Sequence, residues 1–308
     1  MILRVFSPTH IGSGDRLTRI DYVYRNGEVR VIDYEKAWSE DERIRKMIEL
    51  GRFDPKIAIN YYKYKLDAFC KPDGEIMEHI KILGRPYIPG SSLKGTIRTA
   101  LLWNYLKEKG LKIKSRKELR RIEQELFDRN LMRRLIVRDS EMLSVKDLGV
   151  YEIVILSERN GKTLEEKMLR TGRSIKIYVE SLKPGTKLKI DLKGDNWKDK
   201  LLEFSKFVLS IDRKFFEERN DGRLDDILKF IDDVESKLNS GRILFRIGFS
   251  TGWLWKTVGS LLTREERLEL AKKLKLSRKL GTDFPKTRRV IVYNGVYRWL
   301  PGWLEIID

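Results

Sequence analysis

Three glycine-bearing segments of the chain combine small residues with hydroxyl groups and a nearby cation. They are THIGSGD from Thr9 to Asp15, IPGSSLKG from Ile88 to Gly95, and RIGFSTGWLWKT from Arg246 to Thr257. A bare backbone can lie close to a phosphate or to another backbone, and hydroxyl and cationic groups bind phosphate oxygens. Glycine loops are common turns, so one segment alone is weak evidence. All three, in this order and spacing, form a specific pattern.

The second of these segments is not a nucleotide-binding P-loop. In a P-loop the lysine directly follows the last glycine, whereas here Lys94 comes before Gly95. Pro89-Gly90 predicts a turn, and Ser91 or Ser92 predicts the N-cap of an amphipathic helix that begins directly afterwards.

Two cations lie one turn apart on this predicted helix, namely Lys94 and Arg98. Together with the free N–H groups of a helix start, they would suit a bound anion. A well-capped packing helix with solvated charges is the alternative interpretation.

The charge balance predicts a polyanionic partner. The chain has 308 residues with 64 Lys and Arg against 46 Asp and Glu, which gives a net charge of +18. A membrane surface is the rival polyanion, but no apolar run approaches the roughly 18 residues that span a bilayer. The apolar stretch in MILRVFSPTH is too short for a signal peptide, so we expect a cytoplasmic protein.

Few residues are available to bind a metal. Cys70 is the single cysteine, and His10 and His79 are the only histidines. We therefore expect no disulfide, no metal and no cofactor. A single glutamine and 36% charged residues suggest, as a hypothesis, an origin in a hot environment.

Strands and helices are interleaved along the sequence. Strands are expected at residues 1–6 and in hairpins that turn at Asn26-Gly27, at Lys183 to Thr186 and at Asn294-Gly295. This mixture predicts an α+β fold with helices on one face of an antiparallel sheet. Helical periodicity is expected over residues 35–50, 115–134, 197–211, 224–238 and 264–274.

A ferredoxin-like core, as in RNA-recognition motifs, fits this order of elements. Helical insertions would interrupt it, and a second, degenerate copy of the core is left open. No Pro/Gly/Ser linker divides the chain, so we place a lobe boundary by element order alone. Residues 1–192 would form an N-terminal lobe with helical insertions, and 193–308 a C-terminal lobe with helices, the glycine-rich loop and a closing hairpin.

Six motifs together resemble a known family. They are HIGSGD, YIPGSSLKGTIRTALL, VRDSE, VESLKPGTKLKIDL, RIGFSTGWLWKTV and the closing FPKTRRVIVYNG with LPGWLEI. This set resembles the RAMP proteins of type III CRISPR effector complexes. The likeness is nearest to the subunit of the type III-A Csm complex that caps the filament near the 3′ end of the guide RNA.

The resemblance implies a non-catalytic RNA-binding subunit that holds the 3′ part of the guide RNA and aids its maturation. Its implied partners are the guide RNA, neighbouring RAMP subunits of the Csm complex, target single-stranded RNA through the complex and, as a further candidate, a trimming nuclease. No membrane partner is implied. The expected RNA-binding residues are His10, Gly12, Ser13, Gly14, Gly90, Ser91, Ser92, Lys94, Gly95, Arg98, Arg138, Arg246, Gly248, Gly252, Trp253 and Lys256.

Some of these residues also have ordinary structural interpretations. Trp253 lies in apolar sequence and suits core packing as well as base stacking. Arg138 suits a surface ion pair as well as an RNA contact.

Catalysis is the main alternative. Guide-RNA processing endoribonucleases of CRISPR systems cleave without metal, and His10 is the candidate base because an imidazole can accept a 2′-hydroxyl proton. No second proton donor is evident, since nothing in the sequence places His79 near His10. A sister RAMP subunit cuts target RNA with a loop aspartate, for which Asp15 and Asp21 are the nearest candidates. A duplex-DNA reader is disfavoured because the chain offers no recognition helix rich in Arg, Asn and Gln.

Overall fold

The protein has an α+β architecture, as predicted. The computed structural model describes residues 1–113, 116–127, 131–276 and 281–307. A four-stranded sheet and a ten-stranded sheet share one hydrophobic core with several of the helices. The strands are β1 (Ile2–Val5), β2 (Gly12–Leu17), β3 (Tyr22–Arg25), β4 (Glu28–Ile32), β5 (Tyr62–Ala68), β6 (Ile76–His79), β7 (Lys81–Ile82), β8 (Arg85–Pro86), β9 (Ile136–Val137), β10 (Leu148–Arg159), β11 (Thr163–Glu166), β12 (Lys176–Leu182), β13 (Lys187–Lys189), β14 (Leu192–Lys193), β15 (Leu244–Arg246), β16 (Thr287–Tyr293), β17 (Val296–Trp299) and β18 (Trp303–Ile306).

The helices lie mainly in the insertions and in the second half of the chain. Three short 3₁₀ turns, Pro55–Ala58, Val145–Asp147 and Val258–Leu261, connect other elements. The α-helices are α1 (Tyr34–Glu40), α2 (Glu42–Glu49), α3 (Gly90–Glu108), α4 (Arg116–Phe127), α5 (Leu131–Arg134), α6 (Lys198–Glu217), α7 (Asp225–Asn239), α8 (Trp253–Lys256) and α9 (Arg264–Lys273).

The smaller sheet joins both ends of the chain. Its four antiparallel strands lie in the order β13-β1-β18-β15, so that Leu3 of the first strand pairs with Ile306 of the last. Helices α6 and α7 pack beside β15, and α3 packs on α6. Their apolar stripes, predicted from a 3.6-residue period, meet the sheet in one core that includes Leu201, Phe204 and Ile231.

The larger sheet is organised around the long strand β10. Ten strands take part, with the main order β2-β6-β12-β10-β5-β4-β3, while β11 and β16 pair with the second half of β10 and β17 pairs with β16. Strand β10 is buried over almost its whole length, which fits its nearly continuous apolar sequence. Strand β2, which carries the GSGD part of HIGSGD, lies at the edge and pairs only with β6 in the described sheet.

Both sheets combine strands from before and after residue 192. Strand β1 pairs with β18, and β10 pairs with β16. The proposed division into lobes at residues 192 and 193 stays a prediction, and this pairing adds that the two parts share their sheets and core.

Several local predictions agree with the observed elements and others differ. Asn26-Gly27 and Asn294-Gly295 turn hairpins with positive φ at both positions, as expected for this turn type. The hairpin predicted around Lys183 to Thr186 is wrong, because β12 pairs with β10 and β6 whereas β13 pairs with β1. The helix predicted over residues 35–50 is broken at Asp41, which ends α1 and caps α2 through its side chain.

The basic helical stretch predicted over residues 115–134 corresponds to α4 and α5. Residue 115 and residues 128–130 of that prediction lie outside the described residues. In the described part of the chain, none of the helices combines the length and apolar character that crossing a bilayer requires.

Candidate functional site

The three glycine-bearing segments meet at one open cleft of about 470 Å³. The first segment contributes the wall formed by Ile11 and Gly12, the start of α3 forms the opposite wall, and the segment after β15 forms the floor. The expectation that these segments act together is therefore supported by their position. The residues that line the cleft are Ile11, Gly12, Ser91, Ser92, Gly95, Thr96, Thr99, Arg246, Ile247, Gly248, Phe249, Thr251, Trp255 and Lys256.

Helix α3 begins earlier than the sequence predicts. Pro89 is the N-cap and Gly90 the first helical residue, so the predicted capping role of Ser91 or Ser92 is wrong. The Oδ1 atom of Asp139 replaces that cap by accepting a hydrogen bond of 2.7 Å from the backbone N–H of Gly90. The VRDSE motif therefore holds the start of α3 in place.

Gly90 itself is required by a close approach of two backbones. A Cβ atom there would lie 2.5 Å from the carbonyl oxygen of Val137 and 2.6 Å from that of Arg138. Such contacts are shorter than any side chain tolerates, so Gly90 acts in packing and does not line the cleft.

The face of α3 that lines the cleft is small and hydroxyl-rich. Ser91, Gly95 and Thr99 follow one another at four-residue spacing, with Ser92 and Thr96 beside them. The hydroxyl of Thr99 donates to the carbonyl of Gly95 at 3.0 Å, which leaves its lone pairs facing outward. This face offers hydroxyl groups and close backbone access to a strand lying along it.

The first and third segments are joined backbone to backbone. Gly248 has φ of +83°, and a Cβ atom there would lie 2.2 Å from the carbonyl oxygen of His10. The same carbonyl accepts a hydrogen bond of 2.8 Å from the N–H of Phe249. The glycine therefore allows the floor of the cleft to lock onto its wall.

A buried charge network lies under the floor. The carboxylate of Asp212 accepts hydrogen bonds from Trp255 Nε1 at 2.7 Å and Arg288 Nε at 2.6 Å, and it lies 3.5 Å from Arg246 Nη1. Burial lowers the pKa of Arg246 to about 10, partly offset by the attraction of Asp212. Two guanidinium groups share one carboxylate here, so the floor keeps a net positive charge.

Lys256 adds a second positive group to the lining. Its side chain forms no ion pair within the described part of the chain, although it lies among other cations. Burial lowers the pKa of Lys256, and the positive charges of Arg289 and Arg246 lower it further. An anion in the cleft would relieve that repulsion.

His10 lies behind the wall and not in the cleft. Its ring is 2% exposed, and Nδ1 lies 2.6 Å from the carbonyl oxygen of Glu180, so Nδ1 carries the proton and donates. The Nε2 atom is buried without a hydrogen-bond partner. Burial lowers the pKa of His10 to about 4, so the ring is neutral near pH 7.

His79 lies beside His10, with 5.9 Å between the ring centroids, a proximity that the sequence did not reveal. The N–H of Ile11 donates to His79 Nδ1 at 3.2 Å, so Nε2 is protonated and faces the carbonyl of Tyr87. Burial lowers the pKa of His79 to about 3.

A buried carboxylate, that of Glu180, lies beside this histidine pair. Glu180 accepts hydrogen bonds from the Tyr64 hydroxyl at 2.9 Å, from Lys81 Nζ at 2.5 Å and from the backbone N–H of His79 at 2.9 Å. Burial raises the pKa of Glu180, and the charge of Lys81 opposes that change. These contacts fix the edge of the larger sheet behind the wall.

The candidate catalytic residues lie apart from the cleft lining. Both nitrogens of the His10 ring are buried, and an RNA contact or a role as base for this side chain stays a prediction. Asp21 accepts hydrogen bonds of 2.7 and 2.6 Å from the N–H and hydroxyl of Thr18 in a turn, and Asp15 is exposed on β2. Both aspartates lie outside the cleft lining.

Two of the cations that were predicted to bind RNA form ion pairs outside the cleft. Arg98 pairs with Glu123 at 3.2 Å, and its guanidinium lies 5.1 Å from the ring centre of Phe127. Arg138 is exposed and pairs with Asp191 at 3.5 Å, which is the surface ion pair left open by the sequence.

The other predicted residues outside the cleft have varied surroundings. Lys94 is half-buried on α3 but does not line the cleft, and Ser13 and Gly14 are exposed on the edge strand β2. Gly252 is the exposed N-cap of α8. Trp253 packs edge-on against Phe284 at 5.2 Å, which is the packing interpretation that the sequence also allowed, and base stacking stays a prediction.

Several cleft residues were not predicted. Thr96 and Thr99 continue the four-residue spacing of Ser92 and Gly95, so the helical period in the sequence contained the signal. Phe249 and Thr251 lie between predicted residues of the third segment.

Among the described residues, no group of three or more His, Cys, Asp or Glu side chains is placed to hold a metal ion. The cleft lining offers backbone, hydroxyl groups, two cations and two aromatic side chains.

Comparison with known proteins identifies the family. The model of the RAMP superfamily matches residues 2–254. This chain belongs to the RAMP superfamily. The resemblance drawn from the six motifs is thereby confirmed at the level of the family, and the matched residues include the whole cleft lining except Trp255 and Lys256.

Relatives of this RAMP protein agree with that assignment. This chain is 25% identical to a Methanocaldococcus jannaschii protein described as "CRISPR system Cms protein Csm5", over 98% of this chain and 87% of the relative.

Two solved chains share the fold of this RAMP protein, each at 23% identity. One comes from the cryo-EM structure of a Csm-crRNA-target RNA ternary complex in a type III-A CRISPR-Cas system, with a TM-score of 0.75 over 99% of both chains. The other is the crystal structure of T. onnurineus Csm5, with a TM-score of 0.64 over 99% of this chain and 100% of that one.

Proposed function

We propose that this RAMP protein is a non-catalytic, RNA-binding subunit of a type III-A CRISPR Csm complex. It would hold the 3′ part of the guide RNA, cap the RAMP filament and aid maturation of the guide. The observation that carries the proposal is the convergence of the three glycine-bearing segments on one positively charged, open cleft.

The composition of the cleft suits RNA of any sequence. Sequence-independent binding needs phosphate neutralisation and donors that reach the backbone, with planar groups where bases are exposed. Lys256 and Arg246 supply charge, Ser91 and Thr99 supply hydroxyl groups, and Phe249 supplies a planar ring. A net charge of +18 would attract the strand from a distance.

The relatives support the proposed assembly. A relative described as a Csm5 protein and a chain of the same fold within a Csm-crRNA-target RNA complex suggest the same partners for this chain. We therefore propose guide RNA, other RAMP subunits and, through the complex, target RNA as partners, with a trimming nuclease as a further candidate. A core like that of RNA-recognition motifs within the two sheets is part of this proposal.

The test is retention of labelled guide RNA by the purified full chain in EDTA over a series of salt concentrations. Replacing Lys256 by Gln should reduce the slope of log affinity against log salt by about 0.7, the value for one phosphate contact on a single strand. Lys229→Gln is the matched control, because this exposed lysine on α7 loses the same charge away from the cleft lining.

Three outcomes would contradict this assignment. Equal slopes for Lys256→Gln and Lys229→Gln would remove the cleft from the RNA path. Preference for duplex DNA over single-stranded guide RNA would remove the RNA function. New cleavage products in EDTA would favour the endoribonuclease alternative.

A further inference from the structure

Strand β16 carries two consecutive arginines that point to opposite faces of the larger sheet. Arg288 points into the core, where its Nε atom donates to Asp212. Arg289 points to the other face, and its guanidinium carbon lies 5.2 Å from the ring centre of Phe249. Since Phe249 lines the cleft, Arg289 lies at its margin although the sequence analysis did not select it.

The cations around this margin outnumber the anions. Arg246 and Arg288 share the single carboxylate of Asp212, while Lys256 and Arg289 form no ion pair within the described residues. The side chain of Arg289 also makes no hydrogen bond to any described residue, and its N–H groups are not among the buried unpartnered atoms. Its donors therefore remain available to a ligand.

The mutual influence of these groups shows that they act on one region. The positive charges of Arg289 and Arg246 lower the pKa of Lys256, and burial lowers the pKa of Arg289 itself. Lys256 is exposed and Arg289 is partly buried. Cations that repel one another carry a free-energy cost, which an anion placed between them would remove.

The chemistry favours a phosphate as that anion. A guanidinium held over an aromatic ring keeps its in-plane N–H groups free, and two of them match two oxygens of a phosphate. A lysine ammonium beside it neutralises a phosphate as a point charge. A nucleic acid strand supplies such groups in series.

We propose that Arg289 and Lys256 form a phosphate clamp that guides the RNA strand out of the cleft. The strand would pass Phe249 and continue onto the face of the larger sheet to which Arg289 points. The clamp rests on the proposed RNA-binding function and adds the direction in which the strand leaves. The strand would thus run away from Arg98, whose charge is already paired with that of Glu123.

The experiment measures the affinity of the full chain for labelled single-stranded guide RNA as a function of salt. Arg289→Gln should weaken binding several-fold and reduce the salt slope by about 0.7, and the double variant with Lys256→Gln by about 1.4. Arg289→Lys should restore the slope but not the affinity, because it keeps the charge and loses the planar pair of donors. Arg45→Gln is the matched control, since Arg45 lies 6.0 Å from the ring of Trp38, outside the cleft lining.

The outcomes separate this inference from the function on which it rests. If Lys256→Gln lowers the slope while Arg289→Gln equals Arg45→Gln, the clamp is wrong and RNA binding in the cleft stands. If the unmodified chain prefers duplex DNA to guide RNA, both fall. Poly-L-glutamate is titrated in parallel, and loss of its binding with RNA binding unchanged in Arg289→Gln would assign the patch to an acidic protein and overturn the clamp.

Discussion

At the scale of single residues, the buried pair His10 and His79 shows that the environment of a side chain, and not its type alone, determines its role. His10 and His79 are neutral, each donates from one ring nitrogen to a carbonyl, and both lie behind the cleft wall. The residue that sequence motifs single out for catalysis thus positions the wall, and its carbonyl holds Phe249 of the floor. The residues that line the cleft are mainly serine, threonine and glycine, with Lys256 and Arg246 as the cations.

Burial of these histidines predicts a loss of stability in mild acid. Their folded pKa values of about 4 and about 3 lie below the ordinary value of 6.5, so the unfolded chain takes up protons first. The free energy of unfolding should therefore be steady above about pH 6.5 and fall as the pH drops toward 4, by roughly 2 kcal/mol per histidine at about pH 5. Urea unfolding at a series of pH values measures this.

His10→Gln is the comparison for this pH effect, because glutamine can still donate to the carbonyl of Glu180. The variant should lose the His10 share of the acid sensitivity, about half of the total. The Glu180 carboxyl has a raised pKa and acts in the opposite direction, and it is common to both proteins, so the difference between them reports His10. Parallel pH profiles would show that the His10 ring is not buried neutral.

At the scale of elements, the glycine-bearing segments do two different jobs. Some glycines permit close packing, as Gly90 does against Val137 and Gly248 does against His10. Others leave open space, as Gly95 and Gly252 do, since no described atom lies within 4 Å of a Cβ added there. The glycines of these segments thus form both the close backbone contacts that hold the cleft together, called joints below, and part of its accessible surface.

This difference predicts unequal effects of two similar substitutions. Gly248→Ala should lower the free energy of unfolding by about 3 kcal/mol or more, because its Cβ would lie 2.2 Å from the His10 carbonyl in addition to the strain of φ +83°. Gly252→Ala, at φ +92° and ψ 170° with open space around it, meets only the strain of a backbone conformation that glycine adopts readily, and should cost less, about 1 to 3 kcal/mol. Urea unfolding of both variants compares them, and equal losses would mean that the joint at His10 does not form.

At the scale of the whole molecule, the two sheets tie the ends of the chain together. Strand β1 lies between β13 and β18, and the first half of the chain supplies β10 as the partner of β16. The cleft likewise combines Gly12, Ser91 and Gly248 from distant parts of the sequence. The site therefore exists only when the entire fold is formed.

A fragment of residues 1–192 should accordingly fail to fold alone. It would expose the edges of β1 and β10 and leave core residues such as Leu3 and Val154 without the strands that cover them. Circular dichroism during heating should show no cooperative transition for the fragment, in contrast to the full chain. A cooperative transition would instead support the lobe boundary that the sequence suggested.

The sequence by itself determined the local elements and the family. Strong 3.6-residue stripes predicted α6 and α7, Asn-Gly pairs predicted two hairpins, and the six motifs predicted a RAMP protein. These features depend on neighbours along the chain or on patterns that recur within a family, and a sequence records both directly. The sequence also singled out the glycine-bearing segments as one set, and the structure brings them together around one cleft.

Only the tertiary structure decided which side chains face the cleft. The direction of a side chain depends on partners far away in the sequence, such as Glu123, which draws Arg98 aside, and Phe249, which holds Arg289 at the margin. The neutral state of His10 likewise follows from burial beside Glu180 and His79, which lie 170 and 69 residues away in the sequence. Contacts of that range arise from strand pairing and core packing, which no local pattern specifies.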